Sequence, residues 1–64
     1  MHYEINVSFN GEHIFATHKR SLVTETDAKR VYKLLRGSLP KDYKVDVTRW
    51  ESAGTGLDTS EWEV

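Results

Sequence analysis

Few residue types in this chain are equipped for chemistry. Three histidines, His2, His13 and His18, are the only imidazoles, and there is no cysteine to join them. Zinc needs several nitrogen or sulfur ligands converging from one face, and no His-x-x-x-His pair occurs at helical spacing. His13 and His18 differ in strand parity and are expected on opposite sides of one hairpin. The carboxylates Glu61 and Glu63 stand in a terminal segment with no walled pocket to tune them. Ser21, Ser38, Ser52 and Ser60 fall at turns, where such hydroxyls cap backbone groups. The segment "AGTGL" (53–57) lacks the helix and the lysine that a phosphate loop requires. The sequence therefore predicts no catalytic residues, no metal, no cofactor and no small-molecule substrate.

Two other groups could bind macromolecules. Lys29, Arg30, Lys33 and Arg36 lie in "AKRVYKLLRG", where helical spacing gathers them on one arc. Such a ridge would track phosphates in salt-sensitive fashion, making nucleic acid one candidate partner. The same residues also serve an ordinary helix. Glu25 and Asp27 fall in its first turn and Lys33 and Arg36 in its last, as the macrodipole favours, with Glu25–Lys29 and Asp27–Arg30 at pairing distance. The second group is aromatic. Phe15, Trp50 and Trp62 are large apolar side chains in otherwise polar surroundings, the residue types that anchor protein–protein contacts.

The elements that must position these groups are readable. In "YEINVSF" (3–9), Tyr3, Ile5, Val7 and Phe9 alternate with polar residues, the pattern of a half-buried strand. Asn10-Gly11 follows, the strongest short signal for a two-residue hairpin turn. An uninterrupted hairpin sets Val7 opposite Ile14 and Ile5 opposite Ala16, with Ile14 on the core face and Phe15 on the outer one. Thr24 is the expected cap of a helix whose Ala28, Val31, Tyr32 and Leu35 form an apolar stripe. Gly37 is read as the residue just past the helix end, with Pro40 beyond it. "YKVDVTRW" (43–50) is a third strand, with Tyr43, Val45 and Val47 inward and Lys44, Asp46, Thr48 and Trp50 outward. The stretch 51–64 is a loop followed by a loose tail or a short edge strand in "EWEV".

The order ββαβ predicts an α+β domain spanning residues 1–64. Its sheet is antiparallel, three strands in the order 2-1-3 with room for a fourth outside the third, and one helix covers one face. The other face would carry Phe15 and Trp50 together.

All nine lysines and arginines lie between Lys19 and Arg49, while the stretch after Trp50 carries only acids. Alternation at the N-terminus argues against a signal peptide, and no apolar run is long enough to span a membrane. A cysteine-free small domain fits a reducing compartment such as the cytoplasm. The size, the absence of cysteine and the missing catalytic set resemble those of small accessory proteins of phages and mobile elements. That resemblance implies an adaptor or inhibitor without enzymatic activity. Its partner would be a larger protein or a second copy of the chain, with nucleic acid as the alternative.

Overall fold

The computed structural model describes residues 1–63, and side chains for all of these except Glu61 and Glu63. Strand β1 (His2–Phe9) and strand β2 (Glu12–Ala16) form a hairpin, followed by helix α1 (Glu25–Ser38), strand β3 (Tyr43–Trp50) and a three-residue strand β4 (Gly54–Gly56). A 3₁₀ turn, Ser60–Glu63, ends the described chain. The four strands make one antiparallel sheet in the order β2-β1-β3-β4. Among the described residues no helix is long and apolar enough to cross a membrane.

The alternation in β1 does what its period requires. Tyr3, Ile5 and Val7 are buried, and their neighbours along the strand are half-buried. Across β3 they meet Arg49, Val47 and Val45, and the Ile5–Val47 and Val7–Val45 pairs make an apolar strip over the two central strands that ends at the exposed Arg49. Helix α1 lies on that strip, burying Ala28 and Tyr32 and half-burying Val31 and Leu35. It packs against β1, β3 and the 3₁₀ turn, and makes no close approach to β2. Leu22 bridges to Tyr3 on the β2 side and fills that end of the core.

The Thr24 hydroxyl accepts from the Asp27 backbone N–H at 3.2 Å, so the helix starts where expected. Its end comes later than the glycine indicated. Gly37 is helical, Ser38 continues the helix, and Leu39 caps it in an extended conformation while its N–H bonds to the Leu35 carbonyl. The Arg36 guanidinium donates to the Pro40 carbonyl at 2.9 Å, which ties the exit segment to the last turn without a left-handed glycine.

In the hairpin, the turn forms as expected and the pairing does not. Asn10 and Gly11 have φ of 54° and 80°, the doubly left-handed conformation of a type I′ turn. Phe9 pairs with Glu12 and Ser8 with His13, as a two-residue loop dictates. The ladder then shifts by one: Val7 faces Phe15 and Asn6 faces Ala16. Ile14 is the extra residue of a β-bulge. The expected Val7–Ile14 and Ile5–Ala16 pairs are therefore absent, because the bulge intervenes between turn and strand.

The fourth strand lies outside the third, as expected, but comes from a different segment. It is formed by residues 54–56, inside the stretch read as loop, pairing with Thr48, Arg49 and Trp50. Residues 60–63 form the 3₁₀ turn rather than a strand or a loose tail, and Val64 lies outside the described residues.

Candidate functional site

The bulge decides where the aromatic candidates stand. Opposed residues of an antiparallel pair share a face, so Phe15, opposite the buried Val7, points to the helix side. Trp50 pairs with His2 and Gly54 and alternates with the buried Val47, which places it on the open face. Phe15 and Trp50 thus lie on opposite sides of the sheet and do not form the joint patch that simple alternation predicts.

Trp62 is elsewhere again. Only 7% exposed, it belongs to the core and meets Tyr32 edge-on, with ring centroids 5.8 Å apart. The Lys29 ammonium stands 5.7 Å from the centre of its ring. Trp62 therefore presents no free anchor, because the segment carrying it folds back against the helix.

What remains exposed on the helix side is the rim along β2. All five residues of β2 are exposed. Ile14 is 48% exposed and Phe15 41%. A bulge turns its two adjacent side chains toward the same face, where regular alternation would send them to opposite faces. The helix that covers β1 and β3 stops short of β2, so this apolar pair is left unroofed. Leu34, 67% exposed, lies on the helix flank roughly 140° around the axis from Lys29 and so away from Trp62. Phe9 and Tyr43, in ring contact at 4.6 Å, close the hairpin end of the sheet.

Ile14 and Leu34 were not among the residues singled out from sequence. One signal for Ile14 was present. Ile14 and Phe15 are adjacent large apolar residues, which a period-2 strand cannot place on one face without a bulge.

The open face is polar with one aromatic corner. Along its central rows Glu4 faces Thr48, Asn6 faces Asp46 and Ser8 faces Lys44, with His13 and Ala16 on the outer strand. The Asn6 amide donates to the Glu4 carboxylate at 3.1 Å. Trp50 sits at the corner, 37% exposed, with the His2 ring nearly parallel to it at 13° and 6.4 Å between centroids. A Cβ on Gly54 would fall 2.8–2.9 Å from Cη2, Cζ2 and Cζ3 of the indole, so the ring lies directly over that glycine.

The basic residues of the helix are partly occupied. Lys29 pairs with Glu25 at 3.2 Å, and Arg30 pairs with Asp27. Arg36 bonds the Pro40 carbonyl through one guanidinium nitrogen. Of the four, only Lys33 has no ion pair or hydrogen bond among the described residues. Two of the four charges are thus ion-paired, one guanidinium is held by a neutral carbonyl, and the ridge is not a row of four free cations.

The histidines do not converge. His13 is on the open face, and the His18 ring accepts from the Arg20 backbone N–H at 3.1 Å within its own loop. Among the described residues no three His, Asp or Glu side chains gather as a metal site would need.

Fold and surface together define a class: a small α+β domain with a four-stranded antiparallel sheet, one helix and two unroofed surfaces. No protein-family model, curated protein or solved structure matches the chain, so its function is argued from those surfaces.

Proposed function

We propose that this chain is a non-enzymatic binding protein of adaptor or inhibitor type, acting through a protein–protein contact at the β2 rim. The observation that carries the reading is the bulge at Ile14. It aims two adjacent large apolar side chains, Ile14 and Phe15, to the helix side of the sheet at the β2 rim, which the helix does not reach. Bulges recur where a side chain must be re-aimed, and unroofed apolar groups on an edge strand mark contact surfaces. The bulge also spoils the straight backbone edge that strand addition uses. The contact is therefore led by side chains, with Ile14 and Phe15 entering an apolar recess of a larger protein. The ion-paired helix ridge supports nucleic-acid binding less well.

The test compares partners retained from source cells by wild-type protein and by Phe15→Lys and Ile14→Lys, each checked for folding by circular dichroism. A partner held by wild type and by Trp50→Ala, but lost from both lysine variants, is the expected result. A partner retained equally by all four would move the contact away from β2. Sedimentation equilibrium of the isolated protein separates this from self-association, which the same lysine variants would abolish if a second copy filled the site.

A further inference from the structure

The opposite face of the sheet has a different chemistry. We infer that it is a shallow binding site for neutral carbohydrate chains, centred on Trp50 and the two glycines of β4. This inference is independent of the contact at β2, since the two surfaces lie on opposite sides of the sheet.

Three features carry it. The first is the platform. The Trp50 indole lies over Gly54, and any side chain at position 54 would lift it from the sheet. The electron-rich face of such a ring attracts polarised C–H bonds, which a pyranose presents in numbers on its flatter side.

The second is the floor beside it. The two open-face positions of β4 are both glycine, and Gly56, opposite Thr48, has nothing within 4 Å of where a Cβ would stand. Bare backbone at Gly56 therefore borders the ring that covers Gly54, and a flat chain can approach it closely.

The third is the polar row. Glu4, Thr48, Asn6 and Asp46 occupy successive cross-strand pairs leading away from Trp50. Carboxylate, hydroxyl and amide together offer both acceptors and donors to sugar hydroxyls. The Asn6–Glu4 hydrogen bond fixes two of them in advance. Strand rise of about 3.4 Å per residue sets Trp50 and Asp46 roughly 14 Å apart, room for two to three linked rings.

Charge excludes the other flat ligand. The half of the face next to Trp50 holds Glu4 and Asp46 and no lysine or arginine, and Lys44 lies at the far end. Stacked nucleobases bring phosphates, which these carboxylates repel. A neutral polyhydroxyl chain carries no such penalty.

The experiment is affinity electrophoresis of the full chain through gels containing laminarin, xylan or hydroxyethylcellulose, with single-stranded DNA in a parallel gel. Retardation by at least one of the three polysaccharides is expected. Trp50→Ala should weaken it about tenfold, the scale of a lost aromatic contact. Because Trp50→Ala also removes packing on Gly54, Gly56→Thr is the second variant. It adds bulk into open space, keeps the fold by thermal melt, and should weaken retardation to a similar degree. Absence of retardation in all three gels overturns the inference, as does retardation that both variants leave unchanged. Mobility shifted only by the DNA would also overturn it, assigning the face to bases.

Discussion

The ring of Trp62 meets the ring of Tyr32 edge to face, with planes at 79° and centroids 5.8 Å apart. The Thr59 hydroxyl donates to the Tyr32 phenol oxygen at 3.2 Å, so one buried tyrosine anchors the terminal segment twice. Removing a buried tryptophan side chain costs about 3–5 kcal/mol, which approaches the whole stability of a domain this small. Trp62→Ala is therefore expected to be largely unfolded at room temperature, while Trp62→Phe keeps an edge contact and folds with a lowered Tm. Thermal melts followed by circular dichroism check both. A Trp62→Ala variant melting within a few degrees of wild type would remove Trp62 from the core.

Asp58 starts that terminal segment. Its carboxylate accepts the Ser60 backbone N–H at 3.0 Å. This bond, and a second from the Ser60 side chain, hold its pKa below the usual carboxylate range. Protonation is thus disfavoured in the folded state. The carboxylate contributes stability above roughly pH 4–5, and that contribution fades as pH falls through the lowered value. Asp58→Ala should melt below wild type at neutral pH, with the gap closing in acid. Paired melts across pH 2–7 measure it, and a gap independent of pH would show that the charge plays no part.

How much of this was legible depended on how local each determinant is. The helix start was readable because Thr24 and Asp27 are three residues apart and settle the matter between themselves. The turn was readable because Asn10-Gly11 alone supplies both left-handed residues. The helix end was less so, since Leu39 and the Arg36–Pro40 contact replaced the glycine stop that Gly37 advertised. The bulge stayed hidden. It sets two strands in register over a core that also includes Leu22 and the helix, and only the adjacent Ile14 and Phe15 hinted at it. The place of Trp62 was least legible, because residues 51–64 have no periodicity and its partners are Tyr32 and Lys29, about thirty residues away. The candidate surfaces inherited these gaps: Phe15 and Trp50 are both large exposed apolar groups, and Trp50 takes the open face as expected, but the side of the sheet that Phe15 takes hung on one inserted residue.

That dependence is itself testable. Deleting Ile14 removes the extra residue and lets Phe15 pair with Val7 in an uninterrupted ladder. The fold should survive, because Tyr3, Ile5 and Val7 keep their partners on β3. The edge becomes straight, however, and a straight apolar edge invites pairing with another chain. Sedimentation velocity should show concentration-dependent association for the deletion and not for wild type. A monomeric deletion variant would show that the bulge does not guard the edge.

Gly11 isolates the local part of the hairpin from the rest. At φ 80° its Cβ would have nothing to strike within 4 Å, so a substitution suffers from backbone conformation alone. Gly11→Ala should cost about 1–2 kcal/mol, the strain of a left-handed alanine. Over a domain of this size that lowers Tm by about 4–8 °C per kcal/mol. Asn10→Gly, which relaxes the same requirement, should change Tm by far less. Equal losses at both positions would mean the Asn10 side chain contributes more than its backbone.

The helix ridge can be tested against nucleic acid. With Lys29 and Arg30 paired to Glu25 and Asp27, wild-type protein should give little anisotropy change with mixed DNA and RNA, even at low salt. Breaking the pairs tests whether compensation is the cause. Glu25→Gln with Asp27→Asn frees Lys29 and Arg30 beside Lys33, and binding should then appear and fall steeply as salt rises. Adding Lys33→Glu and Arg36→Glu should abolish it while the melt stays cooperative. Tight, salt-sensitive binding by the unmodified chain would instead make the ridge the working surface, because four cations would then outweigh two acids whose pairs are individually weak.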